Sequence, residues 1–279
     1  MSTHNFILRI LGGFRDGTSG PKSKTRSFPG ELAEYYPMDN GQRGVCLILN
    51  YENFKMPNYD RRTGTNIDRD NLCRVFKWLG FQVITRDNLH ADATLKTLKE
   101  GAKRDHSYSD CFVLCYLSHG GLGYVSAADD NIPTEKIFDL FTADNCPSLI
   151  GKPKLFFIQA CQGKLLDDGV TLIHKEHFSG SYRIPVRADF LIAYSAVPGY
   201  LSWRSKSSGS WFIQELVEEL EYRALTQDLL TILTFVNQRV AIDHESFTPN
   251  DPFSNNKKIV PYITYTLTRL LKFTLKNSV

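Results

Sequence analysis

Two reactive side chains in this sequence each follow a run of apolar residues. Cys161 comes directly after LFFIQA, and His119 comes one residue after CFVLCYL. Gly120 follows His119 directly, and Gly163 lies two positions after Cys161. A thiol attacks a carbonyl carbon only as the thiolate, so it needs a neighbouring base that accepts its proton. These two residue types predict nucleophilic thiol chemistry, provided that the fold brings them together.

Strands and helices alternate along most of the chain and must position these side chains. Apolar runs predict strands at 45–49, 81–85, 110–117, 155–160 and 190–194, and a last β-rich run at 259–271. Periodic patterns predict helices at 66–80, 91–104, 132–141, 210–223 and 228–241, with Asn66 as the cap of the first. Apolar strands separated by helices indicate an α/β fold, in which helices cover both faces of a mostly parallel sheet.

His119 and Cys161 both stand just beyond the carboxyl end of a predicted strand. Functional sites of open parallel sheets lie at that edge. Of the seven histidines, only His119 follows a buried strand and precedes glycines. Taken alone it would more often be a turn or core histidine, but the equivalent position of Cys161 favours a shared site. Gly120 lets the backbone approach a substrate and leaves its N–H to donate to an oxyanion.

The bulk composition excludes several classes of function. The chain has 279 residues, 42% of them hydrophobic, and a net charge of +3 with scattered basic residues, which does not indicate nucleic-acid binding. We find no apolar run of about 18 residues, so we expect no membrane span and a cytoplasmic protein. Cys111, Cys115 and His119 are spaced by four, but on a strand the outer two would lie roughly 26 Å apart, too far to share a metal ion. We therefore expect no metal ion at these residues.

Several short motifs resemble those of one peptidase family. The five residues from Gln159 to Gly163 read QACQG, which matches the QAC[RQG]G signature of caspases, and the histidine 42 residues upstream, His119, fits the same pattern. The resemblance to an executioner caspase runs from Gly41 to Phe273 and includes RTGTNID at 62–68, LSHG at 117–120, ADFL at 188–191, SWR at 202–204 and GSWF at 209–212. It implies a caspase-like three-layer sandwich with a six-stranded, mostly parallel sheet.

The resemblance also implies an activity. The chain would be a cysteine endopeptidase, made as a zymogen, that cuts proteins after aspartate in apoptosis. It would need no metal and no organic cofactor. Cys161 would be the nucleophile and His119 the general acid–base. The backbone N–H groups of Gly120 and Cys161 would form the oxyanion hole. A catalytically silent caspase-like regulator that dimerises with an active caspase is the alternative. Such a protein usually loses the nucleophile, the histidine or a pocket arginine, and all are present here.

In the family pattern, Arg62, Gln159 and Arg204 line the pocket for the aspartate that precedes the cut bond. Two guanidiniums and an amide donate charge-assisted hydrogen bonds to a short carboxylate. A neutral side chain in that pocket would leave the guanidiniums without their counterion. Sites of this kind reject analogues that lack the polar group by roughly 10⁴-fold.

Other substrate contacts carry over from the family pattern. Ser202 and Arg204 would hold the substrate main chain as an added strand. Aromatic residues would border two outer subsites. Trp203 and Phe253 would form the walls of the second subsite, and Trp211 and Phe247 would border the fourth. In addition, Gly121 replaces the glutamate that often follows this His-Gly pair.

The resemblance divides the chain into four segments. Residues 1–40 would be a short disordered propeptide, 41–168 the large catalytic subunit, 169–183 the intersubunit linker and 184–279 the small catalytic subunit. The linker contains no aspartate, so Asp167 and Asp168 are the nearest processing candidates there, and Asp16 is the candidate for removal of the propeptide.

Four kinds of partner are expected. They are aspartate-containing protein substrates, an upstream activating protease, inhibitor-of-apoptosis proteins and a second copy of the chain. The run at 259–271 matches the strand through which two caspase units pair, and burial of such an edge is physically favourable.

Overall fold

A mixed sheet with one antiparallel strand at its edge forms the centre of the molecule. The computed structural model describes residues 33–166 and 187–276, and the chain from Glu34 onward forms one compact unit. The processing candidates Asp16, Asp167 and Asp168 lie outside the described residues, as do most of the expected propeptide and all of the expected linker.

The strands and helices are as follows. The strands are β1 Val45–Asn50, β2 Gln82–Asp87, β3 Phe112–Leu117, β4 Gly120–Gly121, β5 Tyr124–Ser126, β6 Asn131–Pro133, β7 Lys154–Gln159, β8 Gly163–Leu165, β9 Phe190–Tyr194, β10 Gly199–Tyr200, β11 Arg204–Ser205, β12 Gly209–Ser210 and β13 Tyr262–Tyr265. The helices are α1 Thr65–Trp78, α2 Ala91–Ala102, α3 Thr134–Phe138, α4 Trp211–Arg223 and α5 Leu229–Asp243. Short 3₁₀ turns occupy Asp139–Phe141 and Pro147–Leu149.

The described strands of the main sheet run in the order β13-β9-β7-β3-β1-β2. Neighbours from β2 to β9 pair in parallel, and only β13 pairs antiparallel, with β9. The predicted six-stranded, mostly parallel sheet is therefore confirmed. Parallel strands need crossover connections, which the helices supply.

The sheet separates two apolar clusters, and alternate residues of each strand join opposite ones. In β1, Cys46 and Ile48 belong to the cluster that contains the apolar residues of α1, α4 and α5. Val45, Leu47 and Leu49 belong to the other cluster, with residues of α2 and α3. Helices thus cover both faces, as the near-continuous apolar strands predicted.

The first helix begins one residue earlier than predicted, and its cap is not Asn66. The cap position is Gly64, at φ 93°, where an added Cβ would come within 2.6 Å of the Ser205 carbonyl oxygen. Asn66 instead donates to Glu52 at 3.0 Å and accepts from Asn50 at 2.8 Å. The predicted cap was wrong because these tertiary hydrogen bonds hold the Asn66 amide.

Other boundaries differ where local pattern and packing disagree. The predicted helix at 132–141 is a short strand, a five-residue helix and a 3₁₀ turn. The predicted β-rich run at 259–271 contains only the four-residue strand β13. Packing also begins before Gly41, because Tyr36 and Met38 are buried in the core. Among the described residues, no helix has both the length and the apolar character that a membrane crossing requires.

Candidate active site

The register of two neighbouring strands places Cys161 and His119 at one edge of the sheet. β3 and β7 pair in parallel, with Leu117 opposite Gln159. Each reactive residue therefore lies two positions beyond its strand. The Ser118 N–H continues the ladder, donating to the Gln159 carbonyl at 3.0 Å. Parallel pairing of β3 with β7 thus brings the two loops to the same edge of the sheet.

Gly120 lies against the backbone of the cysteine loop. A Cβ added to Gly120 would lie 3.2 Å from the Cys161 carbonyl oxygen, 3.1 Å from Ala160 Cβ and 2.8 Å from the Tyr124 carbonyl oxygen. Real Cβ atoms do not approach backbone oxygen to 2.8 Å without displacement of the chain. Only glycine fits here without movement of the backbone.

The backbone of Asp60 fixes the imidazole of His119. Its Nε2 lies 2.8 Å from the Asp60 carbonyl oxygen. Because a carbonyl only accepts, Nε2 carries the proton, and Nδ1 of the neutral ring has its lone pair free. Burial, helped by the charges of Arg62 and Arg204, lowers the pKa of His119 to about 4, although the hydrogen bond to the Asp60 carbonyl opposes the shift. His119 is therefore neutral near pH 7 and able to accept a proton.

Cys161 is a free, half-buried thiol next to cationic groups. The Ser202 N–H donates to its sulfur at 3.5 Å. A negative charge on this sulfur raises the pKa values of Arg62 and Arg204, which shows that both guanidiniums lie within electrostatic range.

Of the three residues expected to line the aspartate pocket, Arg62 and Arg204 lie within electrostatic range of each other. Arg62 is only 1% exposed, and its Nη1 donates to the Tyr51 carbonyl at 3.0 Å and to Thr65 Oγ1 at 2.7 Å. Burial and then the charge of Arg204 lower the pKa of Arg62. This guanidinium is thus poorly compensated and would gain from an added carboxylate.

Gln159 and Arg204 complete this group. Gln159 donates through Nε2 to Ser202 Oγ at 2.7 Å, while its buried Oε1 has no hydrogen-bond partner among the described residues. Arg204 Nε donates to the Thr63 carbonyl at 3.0 Å, and burial lowers the Arg204 pKa.

Asp68 is a buried acid beside this group that the sequence argument did not single out. Its two carboxylate oxygens accept from Ser210 N at 2.8 Å and Ser210 Oγ at 2.6 Å. Burial raises the Asp68 pKa to about 6, although Ser210 and the charges of Arg62 and Arg204 oppose the shift. Asp68 belongs to the quoted motif RTGTNID, but only its burial reveals its role beside the arginines.

Of the four aromatic residues of the expected outer subsites, the two tryptophans stack on each other and the two phenylalanines are exposed. Trp203 and Trp211 stack with ring centroids 5.9 Å apart, and Trp211 also stacks on His244 at 5.1 Å. Phe247 and Phe253 are 82% and 74% exposed, so neither serves the core. The structure therefore joins the two tryptophans, which were assigned to different subsites, and leaves both phenylalanines on the surface.

The described residues offer no cluster of three or more histidine, cysteine, aspartate or glutamate side chains that could hold a metal ion. Cys111 and Cys115 are buried in the apolar cluster on one face of the sheet.

The fold and the site define a class of protein: an α/β domain that carries a thiol and an imidazole at one sheet edge beside buried arginines. Comparison with known proteins gives the family. The Caspase domain family matches residues 43–272. Caspase-1 of Spodoptera frugiperda is 48% identical over 94% of this chain and 89% of its own length. Caspase drICE of Drosophila melanogaster is 45% identical over 99% and 84%, respectively. Caspase-3 of Mesocricetus auratus is 42% identical over 98% and 95%.

A solved structure agrees with these relatives. The crystal structure of caspase-1 from Spodoptera frugiperda superposes with a TM-score of 0.83 at 50% identity, covering 89% of this chain and 96% of that one. The chain belongs to the caspase family. It is a cysteine-type endopeptidase of the executioner type that cleaves proteins after aspartate in apoptosis and is made as a zymogen. The alternative of a silent regulator is not favoured.

Proposed function

We propose that Cys161, His119 and Gly120 carry the peptidase reaction, and that Arg62, Gln159 and Arg204 select aspartate. The main support is the pairing of Leu117 with Gln159, because this register brings both reactive loops to the same edge. The contact between Gly120 and the cysteine loop supports the same assignment.

The reaction follows from the protonation states. Nδ1 of His119 takes the thiol proton, and the sulfur of Cys161 bonds to the carbonyl carbon of the substrate. The N–H groups of Gly120 and Cys161 donate to the oxyanion. When the tetrahedral intermediate collapses, the C–N bond breaks and the imidazolium gives its proton to the departing amine. Water then adds to the thioester, His119 accepts a proton from it, and the C–S bond breaks to release the acid and the thiolate.

Selectivity would come from the uncompensated charge of the two arginines. Asp68 is the buried acid near both guanidiniums, and its raised pKa shows that it is itself poorly solvated. An aspartate of the substrate adds the carboxylate that the arginines lack. An asparagine of the same shape does not, so the arginines would stay buried without it.

The outer contacts belong to the same proposal. β11 is the short strand Arg204–Ser205, which pairs with β12. Its backbone and that of Ser202 would pair with the substrate main chain as an added strand. The stacked Trp203 and Trp211 would wall the neighbouring subsites, with Phe253 and Phe247 closing them when substrate binds.

The subunit organisation is proposed along with the site. The large subunit would be 41–168, the small subunit 184–279, and the linker 169–183 would be opened near Asp167 or Asp168, with Asp16 as the propeptide site. Two such units would pair through β13, the outermost strand of the main sheet, in which Tyr262 and Tyr265 are exposed. We place the active dimer in the cytoplasm, with an activating protease and inhibitor-of-apoptosis proteins as its regulators.

Peptides that differ only in the residue before the cut bond test this proposal. We expect aspartate to exceed asparagine and glutamate by roughly 10⁴-fold in kcat/KM. Cys161→Ala should be inactive, and Cys73→Ala, a half-buried free cysteine elsewhere, should be active. Equal turnover of the three peptides would refute the aspartate pocket, and an active Cys161→Ala enzyme would refute the nucleophile.

A further inference from the structure

The imidazole of His119 lies against two aromatic rings that neither the motif nor the reaction accounts for. The ring of Tyr59 stacks on it with centroids 4.9 Å apart and planes 11° from parallel. The ring of Phe54 lies 4.7 Å away at a tilt of 53°. Tyr59 therefore covers one face of the imidazole, and Phe54 lies against it at an angle.

Hydrogen bonds hold the ring of Tyr59 in place. Its hydroxyl donates to Asn131 Oδ1 at 3.3 Å, and Asn131 also accepts from Ser126 Oγ at 2.8 Å. Asn131 and Ser126 are paired residues of β6 and β5, the small sheet that starts at Gly120. The anchor of Tyr59 is thus part of the structure that supports the histidine loop.

Tyr124 provides a second support for Tyr59. The hydroxyl of Tyr59 lies beside that of Tyr124, and their interaction is the largest cause that raises the Tyr124 pKa to about 12. The Tyr124 ring also occupies the space beside Gly121, where an added Cβ would meet its Cε1, Cζ and Oη atoms at 2.6 Å. The residue after the His-Gly pair is therefore small because a tyrosine fills that space.

We propose that Tyr59 is a positioning residue for the general acid–base, and that Tyr124, lying over Gly121, holds Tyr59 in its stacked position. This inference rests on the proposed role of His119. Tyr59 would keep the imidazole plane fixed while Nδ1 exchanges protons with the thiol and the leaving amine.

The stacking of Tyr59 on His119 would assist the reaction through two physical effects. It restricts rotation of the imidazole, which otherwise is held by a single hydrogen bond to the Asp60 carbonyl. The electron-rich face of the tyrosine also favours the imidazolium, which forms only during the reaction. This second effect matters because the charged groups that face His119 oppose each other: Arg62 and Arg204 disfavour the imidazolium, while Asp60 favours it.

Replacement of the Tyr59 ring tests the proposal directly. We expect Tyr59→Leu to lower kcat about tenfold with KM changed less than twofold, and Tyr59→Phe to lower kcat only about twofold to threefold, because the ring remains although its hydroxyl anchors are lost. Tyr108→Leu, at a tyrosine that is 72% exposed elsewhere, is the matched control and should behave as wild type. Wild-type kcat in Tyr59→Leu, or an equal loss in Tyr59→Phe, would overturn the proposal.

The role of Tyr124 is tested through Gly121. We expect Gly121→Ala to lower kcat about fivefold in the wild-type background, because the new methyl group displaces the Tyr124 ring. In a Tyr124→Ala background the same change should cost less than twofold. Equal losses in both backgrounds would overturn the coupling. This comparison also serves if Tyr59→Leu does not fold.

His119→Ala separates this inference from the function on which it rests. An inactive His119→Ala enzyme together with a fully active Tyr59→Leu enzyme would remove the positioning role alone. A fully active His119→Ala enzyme would remove the proposed mechanism itself.

Discussion

The side chain of Gln159 donates to Ser202 Oγ at 2.7 Å. The first residue stands two positions before Cys161, and the second lies 43 residues further along the chain. The hydrogen bond therefore joins the end of β7 to the segment before β11, across the expected linker. The proposed aspartate pocket would take residues from both sides of that linker, so its geometry would depend on how the two parts pack.

Gln159→Glu should remove activity on aspartate peptides. The new carboxylate would neutralise the arginines of the pocket and repel the incoming aspartate, so we expect kcat/KM to fall at least about 100-fold. Gln82→Glu is the matched control, because Gln82 is exposed and accepts from Arg104 Nη2 at 2.9 Å. Steady-state kinetics with one aspartate peptide decide the matter, and unchanged kcat/KM in Gln159→Glu would contradict the pocket assignment.

Arg204→Ala should abolish cleavage and leave the fold intact. Arg204 is half-buried and donates to the Thr63 carbonyl, but it lies outside the apolar core. We expect a loss of at least about 100-fold in kcat/KM for an aspartate peptide, with an unfolding midpoint close to that of wild type. Arg86→Ala, at an exposed arginine of β2, provides the control. Retained preference for aspartate over asparagine in Arg204→Ala would count against its role.

Gly120→Ala should inactivate the enzyme by displacing the histidine loop. The added methyl group would lie 2.8 Å from the Tyr124 carbonyl and 3.2 Å from that of Cys161. A shift of about 1 Å at a reacting centre costs on the order of 100-fold in rate. In contrast, Gly101→Ala in α2 meets only Leu47 Cδ2 at 3.9 Å and should stabilise the protein by about 0.5–1 kcal/mol. Thermal unfolding and kinetics of both variants separate the effect on stability from the effect on activity. An active Gly120→Ala enzyme would show that the histidine loop accommodates the methyl group without displacing His119.

Asp68→Asn should change how stability depends on pH. Burial raises the Asp68 pKa from 3.8 to about 6, so the folded protein binds more protons than the unfolded chain between these values. The free energy of unfolding contributed by this carboxyl therefore falls as pH rises from about 4 to 6, by about 3 kcal/mol in total.

Urea unfolding of wild type and Asp68→Asn at pH 4 to 7 measures this contribution. The stability of wild type relative to the variant should decline across that window, because asparagine does not titrate. Exposed Asp243 provides an Asp→Asn control without such a trend. If the difference in unfolding free energy between wild type and Asp68→Asn did not change with pH, the Asp68 pKa would not be raised by burial.

The lowered pKa of His119 sets the lower pH limit of activity. His119 must be neutral to take the thiol proton, and its pKa is lowered to about 4. We therefore expect kcat/KM of the free enzyme to stay constant as pH falls from 7 to about 5 and to decline only as pH approaches 4. An acid limb centred near 6.5, the ordinary pKa of histidine, would mean that the imidazole is solvated in the working enzyme.

The sequence by itself determined the alternation of strands and helices and the parallel sheet, and it singled out the two residues that we propose to react. Apolar runs and periodic patterns are local, so they could be read before any contact was known. Boundaries were less well determined: Asn66 fitted a helix cap, but Asn50 and Glu52 hold its side chain. Caps compete with tertiary hydrogen bonds, and the sequence does not show which prevails.

Only the tertiary structure decided which side chains surround the reactive pair. Asp68 comes within electrostatic range of Arg204, and Tyr59 stacks on His119, through contacts between segments far apart in sequence. Pocket charge, burial and ring stacking depend on distances across the sheet edge, and no local pattern encodes those distances. Chemistry at this site is therefore specified by residue type, while its pKa values and geometry are set by packing.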